Sequence, residues 1–80
     1  PDAVRCAVLT VSDTRTRDTD GSGRLIRDLL GMKGHAVSAY EIVPDEPNRI
    51  RAVVAEWAVR ADVDAILTNG GTGIAARDTS

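Results

Sequence analysis

The residues best suited to chemistry lie towards the end of the chain. Asn69-Gly70-Gly71-Thr72-Gly73 follows an apolar run, Ala65-Ile66-Leu67, and Arg77 and Asp78 stand just beyond it. Three glycines within residues 70–73 remove the Cβ atoms that would keep a ligand off the backbone. They also permit positive φ, so several N–H groups can point into one hollow. Such a hollow suits an anionic group, phosphate above all. The plain alternative is a glycine-rich turn between a strand and a helix. Gly71-Thr72-Gly73-Ile74-Ala75-Ala76 also matches G-x-G-x-x-A. The dinucleotide fingerprint, however, belongs to a first strand–helix turn and needs an acidic residue about 20 positions on. No G-x-x-x-x-G-K-[ST] occurs, so this is not a P-loop nucleotidase.

Two carboxylates accompany the glycines. Asp45 lies in Pro44-Asp45-Glu46-Pro47-Asn48, where it can serve as the N-cap of a helix or stand in the ligand crevice at the carboxyl end of a parallel strand. Asp78 has the same two readings, helix start or crevice. Both are expected to follow strand ends and to face one crevice with Ser12, Asp13 and the loop Gly70, Gly71, Thr72, Gly73. A pair of carboxylates beside a phosphate hollow fits Mg²⁺, which takes one or two carboxylates completed by water and substrate phosphates. His35 reads as structural, Cys6 and Trp57 as core, and Arg15 and Arg17 as solvated loop residues with a lesser claim on substrate phosphate.

The elements that would position these groups can be read from hydrophobic spacing. Arg5 to Ser12 is a near-continuous apolar run, the mark of a strand covered on both faces. A long polar loop, residues 13–23, follows; Asp20 or Ser22 can cap the next helix, predicted over 23–33. Leu25, Leu29 and Met32 lie on one side of that helix, with Ile26 and Leu30 adjoining, and Gly31 or Gly34 ends it. A second strand is predicted over 35–43. A second helix carries Ile50, Val53, Val54, Trp57, Ala58 and Ala61 as its core stripe. The third strand precedes the glycine loop. The order β-α-β-α-β implies a mostly parallel sheet with right-handed crossovers, and another helix is expected to begin after the loop. With only three strands and two helices, an edge is left bare, so residues 1–80 are expected to be a single domain that is part of something larger.

Composition sets the outer bounds. With 80 residues, 42% hydrophobic, and 10 basic against 12 acidic side chains for a net charge of -2, the chain carries no nucleic-acid footprint and no membrane-surface patch. One cysteine permits no internal disulfide, which fits a reducing compartment, and no apolar run approaches membrane-spanning length. The expectation is a soluble cytoplasmic protein.

Taken together, these segments resemble the MoaB and Mog family of molybdenum-cofactor biosynthesis proteins and the related molybdopterin-binding domains. The resemblance is carried by Leu9-Thr10-Val11-Ser12-Asp13, Asp20-Gly21-Ser22-Gly23, Gly34-His35-Ala36-Val37, Ile42-Val43-Pro44-Asp45-Glu46 and Gly70-Gly71-Thr72-Gly73-Ile74-Ala75-Ala76-Arg77-Asp78. It implies a three-layer α/β sandwich, of which this chain is the N-terminal half, commonly assembled as a homotrimer and working beside a molybdenum-insertion protein. It further implies adenylylation of molybdopterin by ATP with Mg²⁺, releasing pyrophosphate. On this resemblance Asp45 and Asp78 are the essential, metal-associated aspartates. The loop from Gly70 through Gly71 and Thr72 to Gly73 holds ligand phosphate, and Ser12 and Asp13 line the crevice. A non-catalytic pterin-binding subunit and a molybdenum-insertion domain are the alternatives within the same superfamily.

Overall fold

Cys6, Ala7, Val8, Leu9 and Thr10 are all buried, and a run with no exposed alternate can only be a central strand covered on both faces. This strand, β1 (Arg5–Val11), leads to α1 (Gly21–Met32), β2 (Ala36–Val43), α2 (Pro47–Ala58), β3 (Ala65–Gly70) and β4 (Gly73–Asp78) in a computed structural model. The structure describes residues 3–70 in full and residues 73–78 as backbone. The sheet order is β2-β1-β3-β4. β1 is parallel to both β2 and β3, as the helical crossovers require.

β2 lies on one side of β1 and β3 on the other, so right-handed crossovers set α1 and α2 on opposite faces. The side chains sort accordingly. Ala7, Leu9, Val43 and Ile66 point to the α2 face and pack with Trp57 and Val63, with Ile50, Val53 and Val54 against them. That is the apolar core. The predicted α2 stripe holds through Trp57 but stops there: the helix ends at Ala58, which is exposed, and Ala61 lies beyond it. The other face of the sheet, under α1, carries buried Cys6 and Val8 and, towards its carboxyl end, the polar Thr10, Tyr40 and Asn69.

Two expectations are overturned. The first concerns α1. Leu25, Leu29 and Met32 are 59%, 44% and 81% exposed, and the side turned to the sheet carries Gly23 instead. A Cβ on Gly23 would run into the Asp20 carboxylate, so the absence of a side chain lets the first turn sit directly on that group. Asp20 also caps the helix through Gly23 N–H at 3.1 Å. Cap and close approach together fix the helix rotation and leave its Leu/Met stripe outward. Gly34, at φ 84°, ends the helix while His35 N–H returns to the Leu30 carbonyl at 2.9 Å.

The second concerns the segment after the glycine loop. Among the described residues no helix begins there. Residues 73–78 return antiparallel to β3, Gly73 opposite Gly70 and Asp78 opposite Ala65. The outer edge of β3 would otherwise present unpaired N–H and C=O groups, and β4 satisfies them.

Candidate functional site

The loops that leave β1 and β2 turn to opposite faces of the sheet, and a cleft of about 320 Å³ opens between their carboxyl ends. This is the position at which open α/β sheets receive ligands. Ser12, Asp13, Arg15, Arg17, Glu41 and Pro44 are among its lining residues. Ser12 N–H donates to the Val43 carbonyl at 2.8 Å, which ties the two strand ends together. The Ser12 hydroxyl accepts from the N–H groups of Thr14, at 3.2 Å, and Arg15, at 3.0 Å, and so folds the loop back over the cleft.

Asp13 is exposed, and its Oδ1 accepts from the backbone N–H of Asp45 at 2.9 Å. That bond brings two of the predicted carboxylates to the same rim. Asp45 is not the helix cap. The N-cap of α2 is Glu46, without a side-chain bond, and Pro47 supplies the first turn. The Asp45 carboxylate is exposed and makes no hydrogen bond or ion pair among the described residues.

Gly70 ends β3 beside the same strand termini. Its φ is 123°, and a Cβ there would collide with the Val11 carbonyl. Gly71 and Thr72 lie outside the described residues. Gly73 opens β4, paired with Gly70. The structure thus brings Ser12, Asp13, Asp45 and Gly70 to one end of the sheet. It does not bring Asp78 there. Asp78 is opposite Ala65, the first residue of β3, about 17 Å from the Gly70 end at a strand rise of about 3.3 Å per residue. The expected shared crevice of Asp45 and Asp78 is therefore not formed, because β4 pairs with the β3 edge.

Behind the cleft lies a buried polar network that sequence reading reduced to one helix cap. Asp20 is 1% exposed. Its Oδ2 accepts from the hydroxyls of Thr10 and Tyr40, each at 2.6 Å, and its Oδ1 accepts from Gly23 N–H. Asn69, the last residue before the glycines, donates through Nδ2 to Thr10 Oγ1 at 3.0 Å and accepts from Ser22 Oγ at 2.7 Å. Arg15 donates to Ser22 Oγ at 2.7 Å and lies 3.6 Å from Asp20. Burial pushes the Asp20 carboxyl up, but the Thr10, Tyr40 and Gly23 donors and the Arg15 charge outweigh it and hold the group below its ordinary value. Burial and the bond to Asp20 push the Tyr40 hydroxyl up to about 12. Beyond Asp20 and Ser22 as cap candidates, the sequence signals of this network are Thr10 within an apolar run and Tyr40 inside a strand.

The remaining candidates are structural, as read. His35 accepts from Val4 N–H at 2.9 Å through Nδ1. Trp57 is core. Cys6 is buried, and burial, with Asp64 adding to it, pushes the thiol up, away from nucleophilic character. Among the described residues no three His, Cys, Asp or Glu side chains gather as a ligand set for a metal. A cation completed by substrate phosphate does not need three; with Asp13 Oδ1 engaged by the Asp45 N–H, Asp13 Oδ2 and the Asp45 carboxylate are the oxygens at this rim that could take one. No helix among the described residues is long and apolar enough to cross a membrane.

Comparison with known proteins shows the family. The family described as "Probable molybdopterin binding domain" matches residues 7–80. The chain is 61% identical over 80 residues to Molybdenum cofactor biosynthesis protein B of Halalkalibacterium halodurans, covering all of this chain and 47% of that protein. It is 51% identical over 80 residues to the protein of the same name from Bacillus subtilis, again covering 47% of it. A crystal structure of Molybdenum cofactor biosynthesis protein B superposes with a TM-score of 0.86 at 50% identity, over all of this chain and 50% of that one. The chain spans about half the length of the curated relatives it matches. It belongs to the MoaB/Mog family of molybdopterin-binding domains.

Proposed function

We propose that the protein to which this chain belongs acts in molybdenum cofactor biosynthesis, and that it adenylylates molybdopterin with ATP. In that reaction an oxygen of the molybdopterin phosphate bonds to the α-phosphorus of ATP, the α–β phosphoanhydride breaks, and pyrophosphate leaves with the electron pair. The observation that carries the reading is the match to the family over residues 7–80, joined to a cleft lined by Ser12 and Asp13, with Asp45 tied to its rim through a backbone N–H bond to Asp13. Two anions must be brought together, so alignment and charge neutralisation carry the catalysis. Mg²⁺, when bound, would supply the neutralisation, with Asp13 and Asp45 as its holders on this chain. The Ser12 loop and the glycine loop from Gly70 would orient the phosphates and keep them aligned.

Asp78 enters this reading on one condition: the segment 73–78 must leave the edge of β3. Gly73, Ala75 and Ala76 have weak strand preference, which favours such a release when other chain covers that edge. The separation of Asp78 from Asp45 otherwise favours the second reading, a pterin-binding subunit without chemistry. A homotrimer is also part of the proposal; it would give the outward Leu25, Leu29 and Met32 stripe a cover.

The test is Asp45→Asn in the full-length protein. ATP-dependent turnover of molybdopterin should be lost while pterin binding stays within about twofold of wild type. Wild-type turnover in the variant would remove the metal role assigned to Asp45.

A further inference from the structure

The sequence reads Arg15 and Arg17 as solvated loop residues with a lesser claim on substrate phosphate; the structure sets both in the lining of the cleft and holds each from behind. Arg15 is anchored by the Ser22 hydroxyl at 2.7 Å, and its charge is balanced by buried Asp20 at 3.6 Å. Arg17 stands over the Tyr40 ring, 5.0 Å from its centroid, and Tyr40 is in turn fixed by its hydroxyl bond to Asp20. Arg27 shares that ring at 3.9 Å but is not part of the cleft lining. One buried carboxylate therefore stands behind both cleft guanidiniums.

We infer that Arg15 and Arg17 are the phosphate-recognition pair of this cleft, positioned for a phosphate group by the Asp20, Ser22 and Tyr40 side chains. The inference rests on the functional reading above and adds to it the residues that select the ligand. Long side chains on an exposed loop ordinarily give up rotamer freedom when they bind, and that loss cancels much of the gain. Here the anchors are already made. Arg15 has five guanidinium donors and uses one on Ser22, so it can turn a fork to a phosphate without releasing its support. Asp13 and Glu41 line the same cleft, so its charge is close to balanced. Recognition must therefore come from the guanidinium geometry and not from a broad positive field. The chemistry recognised is a phosphate ester or anhydride, and it has two sources in the proposed reaction: the nucleotide and the pterin.

The experiment uses the full-length protein, with folding of every variant checked by circular dichroism and thermal melting. Calorimetric titrations with ATP, with pyrophosphate and with a pterin phosphate monoester are compared for wild type, Arg15→Ala, Arg17→Ala, Arg15→Lys and Ser22→Ala. Each alanine variant of an arginine should bind at least one of these probes about tenfold more weakly, the effect of one lost charge-assisted contact. Arg15→Lys should recover only part of the loss, because the ammonium has no fork. Ser22→Ala should weaken binding about threefold in the folded variant, beside the lower melt expected from the lost bond to Asn69 Oδ1, and Arg15→Ala, which leaves that bond in place, separates the two effects. Loss confined to ATP and pyrophosphate assigns the pair to the nucleotide, and loss confined to the pterin phosphate assigns it to the pterin. Affinity within twofold of wild type for all three probes in both alanine variants overturns the inference. That failure is distinct from failure of the functional reading, which is decided by turnover of Asp45→Asn.

Discussion

Replacing Asp20 by Asn changes no volume and isolates what the buried charge does. The carboxylate serves three well-made bonds: Thr10 and Tyr40 hydroxyls on Oδ2 and the Gly23 N–H on Oδ1. An amide has one acceptor oxygen. If that oxygen stays with Thr10 and Tyr40, the amide NH₂ faces the Gly23 N–H, donor against donor, and the helix cap is lost. A lost cap costs about 1 kcal/mol. The two hydroxyl bonds lose their charge assistance, about 1 kcal/mol each, since bonds to charged groups contribute about 1.5–3 kcal/mol and neutral ones about 0.5–1.5 kcal/mol. The expected destabilisation is therefore about 3 kcal/mol, a large part of the 5–15 kcal/mol typical of a folded domain. Urea denaturation of the full-length protein reads it directly. The midpoint should fall by about 1–3 M with the slope unchanged, given slopes of about 1–3 kcal/mol per M. A variant within 0.5 kcal/mol of wild type, on that roughly ±10–15% extrapolation, would show that the Asp20 charge holds nothing together.

Two further outcomes follow from local geometry. Gly70→Ala places a Cβ against the Val11 carbonyl at a φ of 123°, so a loss of about 3 kcal/mol or more is expected in the same denaturation assay, from strain and backbone displacement together. A wild-type midpoint would mean that the β3 end is free to move. In acid, Arg5 holds the Asp64 carboxyl down to about 2 through its guanidinium and backbone N–H bonds, and Asp20 is held down as well. Lowered carboxyls stabilise the fold above their ordinary value, about 3.9, and that contribution disappears as the pH falls through the folded value. Stability should decline from about pH 3.9 towards about pH 2, and Asp64→Asn should flatten part of that slope; an unchanged slope would exclude Asp64 as a contributor.

Much of the architecture was legible because it rests on periodicity. The continuous apolar run of β1, the Ile50, Val53, Val54 and Trp57 stripe of α2, and the β-α-β-α-β order all reflect burial, which the spacing of side chains reports. The orientation of α1 was not legible, because the same helix is apolar on two sides. Leu25, Leu29 and Met32 look like a core stripe until one sees that Gly23 and Asp20 set the rotation. The site was legible in part. Ser12, Asp13 and Asp45 stand at one end of the sheet since each follows a strand carboxyl end, a topological consequence. The role of Asp45 as helix cap failed because Pro47 moved the helix start one residue on, to a Glu46 cap. Arg15 and Arg17 had only a lesser claim on phosphate in the sequence: nothing in a polar loop announces that Asp20 and Ser22 at its own end, and a tyrosine ring on the next strand, will hold them. The β4 hairpin was missed because it answers to an unpaired edge and not to the propensity of its own residues.

The central claim is that the cleft between the ends of β1 and β2 receives the ligand's phosphate. A crystal structure of the full-length protein with Mg²⁺ and a non-hydrolysable ATP analogue tests it most directly. The account predicts a phosphate within hydrogen-bonding distance of the Arg15 or Arg17 guanidinium, with the cation on the Asp45 carboxylate. Nucleotide phosphates bound away from this cleft, with both arginines still resting on Ser22 and Tyr40, would contradict it.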